Sequence, residues 1–321
     1  TKIMAMVKAF AYGSGSAEIA TLLEYNRVSY LAVAYTDEGV ELRNAGVLLP
    51  VMVMNPDPSS YDIMIRYNLE PEIFSFSSLK TFRESASRHG LCQYPVHIKI
   101  DTGMHRLGFL PSETDNLAMA LKEADCLRVA SVFSHLAGSE DPELDIFTHH
   151  QAQLFEEVTT RIRLVLGYSF LRHLLNTSGI IRFPQYQYEM VRPGIGIYGA
   201  GNFEGIDLRP AGRFRTEISQ VKVIPPGEPV GYGCASVSEK MRIIAILPVG
   251  YADGLNRRLG NGKGTVWIRG SRYPLIGNIC MDMCMVDITG SEIEEGDEAE
   301  IFGTNISISE VAGLCGTIPY E

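Results

Sequence analysis

Basic residues, long apolar runs and paired cysteines are all scarce in this chain of 321 residues. Lys and Arg number 28 against 38 Asp and Glu, which gives a formal net charge of −10. Without a cluster of Lys and Arg, the chain lacks the basic face that binds nucleic acid. The longest apolar stretches, such as Leu48 to Met54 and Ile243 to Val249, are too short to cross a bilayer. We therefore exclude a nucleic-acid partner and expect no membrane anchor.

The six cysteines show neither metal-type nor redox-type spacing. Several lie inside apolar runs, so we expect reduced, buried thiols in a cytoplasmic protein. The adjacent His149 and His150 fall in a predicted helix, where neighbouring residues face different directions, and we expect a solvated surface and no metal site. The chain begins at Thr1 without a cleavable leader. We expect a fragment of a longer polypeptide, which leaves open fusion to another module.

Over the first two thirds of the chain, short apolar runs alternate with segments whose apolar residues follow the helix period. This alternation is typical of repeated strand-helix-strand units around a parallel sheet. Eight such runs, buried on both faces, favour a closed α/β barrel of the TIM type, (β/α)8, over an open sheet. We predict strands at Ile3 to Lys8, Tyr30 to Ala34, Pro50 to Met54, Glu72 to Phe76, Pro95 to Asp101, Val129 to His135, Arg172 to Asn176 and Met190 to Ile197. One long helix is expected over 142–165.

The pattern changes near residue 208. Pro and Gly become frequent, and the apolar runs become short, β-like and closely spaced, as from Glu298 to Phe302. We predict a barrel domain over 1–207 and a C-terminal, mostly-β domain over 208–321.

Unusual polar residues stand at the ends of five predicted barrel strands. The first run ends at Lys8, a residue that is costly to desolvate, although a lysine extending to solvent would look the same. The carboxyl ends of parallel barrel strands converge on one pocket. The other four ends carry Lys99 with Arg106, His135, Asn176 with Thr177, and Arg192 with Gly194. Each has a structural explanation when taken singly, but five together indicate a functional site.

A phosphorylated aldehyde cofactor fits these residue types. Lys8 supplies an amine for a Schiff base, and a phosphate could be held by Tyr12, Asn176, Thr177 and the amides near Gly194 and Ile195. A phosphosugar barrel enzyme with a Schiff-base lysine would share most of these features, so both interpretations stay open at this point.

Six motifs resemble those of the alanine racemases, pyridoxal 5'-phosphate (PLP) enzymes built from a barrel and a β domain, and the resemblance covers nearly the whole chain. Val7 to Gly15 matches the family's cofactor motif, with two departures: Phe10 stands where Asn is usual, and Ser14 where His is usual. The other five matches are Lys99 to Gly108, Met190 to Ile195, Val230 to Gly233, Val249 to Gly254 and Ile279 to Asp282.

The resemblance implies a racemase that interconverts L- and D-alanine, supplies D-alanine for peptidoglycan, and works as a homodimer with shared active sites. Lys8 and Tyr232 of the partner subunit would be its two bases. Arg106, Tyr251 and Met281 match residues of the substrate site, and Lys99, expected as a carbamylated lysine, Cys280 and Asp282 would support it. The cofactor-binding positions are Lys8, Tyr12, Arg106, His135, Asn176, Thr177, Arg192, Gly194, Ile195 and Tyr320.

Three alternatives stay open beside this hypothesis. A serine racemase or a broad-specificity amino-acid racemase would share every catalytic residue. A non-catalytic PLP-binding barrel would resemble the first domain only, and the motifs around Tyr232, Tyr251 and Met281 argue against it. A decarboxylase relative would place an acid, and not Arg192, at the ring nitrogen of the cofactor.

Overall fold

A computed structural model describes residues 1–201, 203 and 205–321 of the chain. The chain divides into two compact units, Thr1–Gly194 and Ile195–Glu321. The domain boundary predicted from the sequence lies after residue 207. The structural division comes earlier because the last strand of the first unit ends at Val191.

The first unit is a nearly closed barrel of eight parallel strands in the order β7-β6-β5-β4-β3-β2-β1-β8. Arg192 N donates to Leu175 O (2.9 Å) between the segments that follow β8 and β7, where the sheet closes. The predicted TIM-type architecture is confirmed. The strands are β1 Lys2–Met6, β2 Tyr30–Val33, β3 Val51–Val53, β4 Leu69–Ile73, β5 Tyr94–Lys99, β6 Leu127–Phe133, β7 Leu171–His173 and β8 Met190–Val191. The helices are α1 Lys8–Tyr12, α2 Ser16–Tyr25, α3 Thr36–Asn44, α4 Tyr61–Arg66, α5 Phe76–Arg88, α6 Thr114–Lys122, α7 Asp145–Leu166 and α8 Thr177–Arg182.

Every predicted strand overlaps an observed one, but the bounds differ, most clearly at two strands. The strand expected at Glu72 to Phe76 lies at Leu69–Ile73, because Glu70 and Pro71 are buried strand residues in spite of their composition. The strand expected at Met190 to Ile197 stops at Val191, where Pro193 no longer offers an N–H to the ladder. The long helix expected over 142–165 is confirmed as a 3-10 turn followed by α7.

The short segment α1 is a left-handed turn. Ala9, Phe10, Ala11 and Tyr12 have φ angles of 52°, 55°, 51° and 55°, a region in which the Cβ of an L-residue crowds the following carbonyl at a cost of about 1–2 kcal/mol per residue. Such a cost is tolerated where the surrounding structure fixes the backbone. The sequence did not predict this turn, because Ala-Phe-Ala-Tyr has no glycine.

The interior of the barrel is divided into an apolar and a polar side. Methionines from β8, β1 and β3 pack together with Ala32 and Phe133 in one buried cluster, formed by Met190, Met4, Met6 and Met52. Strands β4 to β7 instead place buried polar residues inside, namely Glu70, Glu72, His97, Lys99, Ser131 and His173. Three of the five strands at whose ends the site was predicted, β5, β6 and β7, therefore belong to the polar side.

The second unit is built around a seven-stranded antiparallel sheet in the order β10-β11-β14-β13-β12-β15-β9. One face of the sheet supports a core that includes Leu247, Val266, Val286 and Ile301, with Cys315 of the final helix packed against it. The elements are β9 Phe214–Glu217, β10 Gln220–Ile224, β11 Arg242–Leu247, β12 Thr265–Ile268, β13 Ser271–Ile276, β14 Cys284–Asp287, β15 Glu298–Phe302 and α9 Ile308–Cys315. The expected mostly-β character is confirmed.

All six cysteines are free. Cys284 and Cys315 are buried as expected, but Cys92 and Cys234 are exposed because they lie in turns between elements. Among the described residues, no helix combines the length and the apolarity that crossing a bilayer requires.

Candidate active site

Lys8 is presented where the buried strand β1 gives way to the left-handed turn. Val7, which is fully buried, donates its N–H to Ala32 O (2.9 Å) and so fixes the backbone just before the lysine. On the other side, Ala9 N donates to Glu38 Oε1 (2.6 Å). The second oxygen of Glu38 accepts from Ala34 N at 2.6 Å, so this carboxylate joins the turn to the end of β2. Glu38 was not among the predicted site residues.

The Lys8 side chain is half-buried. Burial lowers the pKa of its ammonium group, the positive charge of Arg106 lowers it further, and Glu38 opposes the shift. A lysine with a lowered pKa has more of the neutral amine, which is the form that attacks a carbonyl or accepts a proton.

Arg192 is buried, with 2% of its surface exposed. Its Nη1 donates to His173 O and to His173 Nδ1, both at 2.7 Å. Its Nη2 donates to Ser134 O (2.6 Å) and Leu174 O (3.1 Å), with His135 Nδ1 at 3.3 Å. The guanidinium is therefore anchored by the ends of β6 and β7.

Burial lowers the pKa of Arg192 to about 9, while the carboxyl of Glu72 opposes the shift. Arg192 therefore keeps its charge at neutral pH. Burial, together with the charge of Arg192, lowers the pKa of His135 and of His173 well below the usual value. Both imidazoles are neutral acceptors beside a permanent donor.

Arg106 is carried by a loop whose sequence is explained by its backbone. Asp101 Oδ1 accepts from Gly103 N (2.9 Å) and His105 N (3.0 Å), which closes a tight turn. A Cβ on Gly108, at φ 136°, would lie 2.6 Å from Asp101 N, so only glycine fits there. The loop leaves the Arg106 side chain exposed, close enough to Lys8 and Lys99 to lower the pKa of both.

Behind Arg106, Lys99 and Glu72 are both buried. The Lys99 Nζ lies 4.2 Å from the centroid of the Phe133 ring. Burial lowers the pKa of Lys99 to about 8, against the pull of Glu72. Burial likewise raises the pKa of Glu72 to about 7, against the pull of Lys99, Arg192 and Arg106. Glu72 was not among the predicted site residues.

A third group lies around the start of α8. Asn176 caps this helix, since its Oδ1 accepts from Gly179 N (2.8 Å). Gly194 N donates to Thr177 Oγ1 (3.1 Å). A Cβ on Gly194 would lie only 2.9 Å from Tyr12 Oη. Tyr12, Thr177 and Gly194, which are far apart in sequence, are therefore brought together as expected of a pocket at the strand ends.

In the second unit, the predicted residues lie on loops that are hydrogen-bonded to one another. Asn278 Nδ2 donates to Tyr232 O (2.8 Å), and Tyr251 N donates to Cys280 O (3.0 Å). The side chains of Tyr232, Met281 and Tyr251 are 71%, 59% and 42% exposed. This second unit therefore presents two tyrosines and a methionine on a common surface, which we call the tyrosine surface.

The remaining predicted residues are less closely grouped. Asp282 and Tyr320 are exposed, whereas Ile195 is buried at the start of a 3-10 turn, Ile195–Tyr198.

Family models match almost the entire chain. The model described as alanine racemase, N-terminal domain, matches residues 1–202, and the one described as alanine racemase, C-terminal domain, matches residues 211–321. The chain belongs to the alanine racemase family. The resemblance that the six motifs predicted is confirmed.

Other members of the alanine racemase family are similar to this chain over nearly its whole length. Alanine racemase 1 of Clostridium acetobutylicum is 36% identical over 100% of this chain and 85% of its own length. The solved alanine racemase of Clostridium difficile 630 is 32% identical, with a TM-score of 0.91 over 99% of this chain and 85% of that one. The alanine racemase of Bartonella henselae, solved with covalently bound pyridoxal phosphate, has a TM-score of 0.90 at 27% identity, over 100% of this chain and 89% of that one.

Proposed function

We propose that this chain is a PLP-dependent isomerase that interconverts L- and D-alanine. The observation that carries the proposal is the half-buried Lys8, whose pKa is lowered, at the end of a barrel strand in a member of the alanine racemase family. D-Alanine made in this way would serve peptidoglycan synthesis. The free state of all six cysteines is what a reducing cytoplasm would maintain, and supports that location.

The residues of the first unit fit PLP. The close approach of Gly194 to Tyr12 Oη leaves room for no side chain at that position, as a phosphate cradle requires. We assign the phosphate to Tyr12, Thr177 and Gly194, with Asn176 orienting Thr177 through its helix cap; Ile195 and Tyr320 complete the set on the family pattern. Arg192 would face the ring nitrogen with His135 beside it. When bound, PLP supplies an electron sink that acidifies the α-carbon of an amino acid.

Racemisation removes a proton from one face of the α-carbon and delivers one to the opposite face, for which one base on each face is the economical arrangement. Lys8 would serve one face, and its lowered pKa provides the neutral amine. Tyr232 would serve the other. A tyrosine is a poor base near neutrality, because its unperturbed pKa is about 10, and the cation that we propose to stabilise its phenolate is Arg106. Arg106 would also hold the substrate carboxylate, with Tyr251 and Met281 bordering the substrate.

Lys99 would be carbamylated, as the family pattern implies. Its lowered pKa supports this, because the neutral amine is the form that combines with carbon dioxide. The carbamate would bring a second negative charge next to Glu72, and the raised pKa of Glu72 allows that carboxyl to stay protonated. The intact mass at neutral pH should include the added carbon dioxide, and brief acid treatment should remove it. An unchanged mass would reject the modification.

We further propose that Tyr232 works in the active site of a second copy of the chain, as its exposed position on the tyrosine surface suggests. Subunits that carry Lys8→Ala should then be rescued by subunits that carry Tyr232→Phe, since each mixed dimer has one complete site. No recovery after proven subunit exchange would reject a shared site.

The test of the activity itself uses the purified chain with PLP in deuterated water. We expect exchange of the α-hydrogen of L-alanine, followed by NMR, together with formation of D-alanine. Faster exchange with L-serine than with L-alanine would reassign the substrate, and no exchange with either would contradict the proposal.

We assign Cys280 and Asp282 no direct role in the reaction: they would only support the loop that carries Met281.

A further inference from the structure

A continuous line of hydrogen bonds crosses the polar side of the barrel interior. Arg192 Nη1 lies 2.7 Å from His173 Nδ1, and His173 Nε2 lies 2.8 Å from Ser131 Oγ. Ser131 Oγ lies 2.6 Å from His97 Nδ1, and His97 Nε2 lies 2.8 Å from Glu70 Oε2. The line joins five strand segments, from the end of β8 through β7, β6 and β5 to β4, and every member is at most 9% exposed. We call it the interior chain.

The direction of the interior chain follows from the donors and acceptors that each group has. A guanidinium can only donate, so His173 Nδ1 must accept and His173 must carry its proton on Nε2. That N–H donates to Ser131, whose own hydroxyl proton is then directed to His97 Nδ1. His97 therefore carries its proton on Nε2 and donates to Glu70. Every bond in the chain thus donates away from Arg192 and toward the carboxyl group.

The surroundings keep this arrangement in place. The ring of His173 stacks on Phe133 with a centroid distance of 4.9 Å and an interplanar angle of 2°. His97 contacts Tyr30 edge-to-face at 5.7 Å.

Charges that face the interior chain from neighbouring elements favour the same state. The positive charge of Lys99, on β5, adds to the effects of burial and of Arg192 on His173, and it disfavours a second proton on that ring. Glu70 has Arg43 of α3 as its nearby cation, with the phenol groups of Tyr30 and Tyr94 also close to it.

We propose that Glu70, His97, Ser131 and His173 are positioning residues that hold the Arg192 guanidinium charged and in one orientation through this one-way chain. Bonds in such a chain polarise one another, so the terminal carboxyl group strengthens the acceptor at His173. The chemical consequence rests on the proposed function, in which Arg192 faces the ring nitrogen of PLP. A mobile Arg192 would let the cofactor become a stronger electron sink. The amino group of alanine would then be transferred to the cofactor more often, which releases pyruvate in place of the racemised amino acid.

The first experiment tests the hydrogen-bond direction in the interior chain, independently of enzymatic activity. The holoenzyme is labelled with 15N-histidine, and each imidazole signal is assigned by replacing the seven histidines in turn with Gln. We expect the Nε2 of both His97 and His173 to carry a proton and the Nδ1 of both rings to accept a hydrogen bond. A proton on Nδ1 of either ring, or a doubly protonated ring, would overturn the proposal.

The second experiment removes the hydroxyl group at the middle of the interior chain. Ser131→Ala should free the His97 tautomer, lower kcat by about tenfold, the factor expected for the loss of about one hydrogen bond, and raise pyruvate formed per racemisation event by a similar factor. Ser131→Thr, which keeps the hydroxyl, should restore both quantities. The control is Ser85→Ala, which removes a buried hydroxyl on α5, outside the barrel interior.

Two outcomes of these experiments are decisive. A folded Ser131→Ala enzyme with the wild-type ratio of pyruvate to racemisation would overturn the positioning role, even with the expected tautomers. If the wild type racemises no amino acid while His97 and His173 show the expected tautomers, the proposed function fails and the interior chain stands.

Discussion

The buried carboxyl group of Glu72 should make the stability of the protein fall as the pH rises, opposite to the usual effect of a carboxylate. Glu72 is 2% exposed, and burial raises its pKa from 4.5 to about 7. Between these two pH values the unfolded chain releases the proton while the folded protein keeps it. Unfolding therefore becomes more favourable with each pH unit, and the stabilisation present below pH 4.5 is lost by about pH 7.

The size of the effect follows from the two pKa values. The interval from 4.5 to about 7, at about 1.4 kcal/mol per pH unit, gives a loss of about 3 kcal/mol. Glu72→Gln has no proton to lose. The variant should match the wild type near pH 4.5 and exceed its free energy of unfolding by about 3 kcal/mol at pH 7, equivalent to about 6–12 °C in Tm for a domain of this size.

Thermal unfolding followed by circular dichroism at pH 5, 6 and 7 measures this difference. Glu84→Gln, which changes an exposed carboxylate on α5, is the control and should show no pH-dependent difference from the wild type. A constant Tm difference between Glu72→Gln and the wild type over this range would refute the reasoning. With a carbamate on Lys99, the free energy of unfolding of the wild type would continue to fall above pH 7, because the negative charge of the carbamate raises the pKa of Glu72 further.

Three further predictions concern the two bases, the guanidinium and the left-handed turn. Tyr232→Phe should slow proton abstraction from one enantiomer of alanine by about 100-fold and from the other far less, as measured by deuterium exchange; equal losses for both would contradict the two-base assignment. Arg192→Glu should raise pyruvate formation relative to racemisation by at least about tenfold, since a carboxyl group could protonate the ring nitrogen, and an unchanged ratio would argue against the role of Arg192. Ala9→Gly should stabilise the protein by about 0.5–1 kcal/mol in urea unfolding because it relieves a positive φ, whereas Ala17→Gly, in the right-handed helix α2, should destabilise it by about 1 kcal/mol; a loss of stability in both would show that Ala9 is not strained.

The strand ends that carry the candidate site could be predicted because their polar residues interrupt otherwise apolar runs. Lys8, Arg192 and the loop with Arg106 were found in this way, and the structure brings all three close enough to His135 for their charges to lower its pKa, beside the larger effect of burial.

The interior residues were missed for a physical reason. An apolar run was expected wherever a strand is buried, but β4 places Glu70 and Glu72, and β5 places His97 and Lys99, at buried alternate positions. In a barrel the inward positions alternate with outward ones, so this period of two was the available signal. The left-handed turn after Lys8 had no comparable signal, since nothing in Ala-Phe-Ala-Tyr distinguishes it from a right-handed helix.

That turn has a consequence for the stereochemistry of the polypeptide itself. The backbone of Ala9 and Ala11 lies in the region that is disfavoured for L-residues and is, by mirror symmetry, the helical region of D-residues. Replacing either L-alanine by its mirror image through chemical ligation would suit the backbone better than the encoded residue. A protein proposed to invert free alanine thus holds alanines of its own, next to Lys8, in the conformation that the opposite hand prefers.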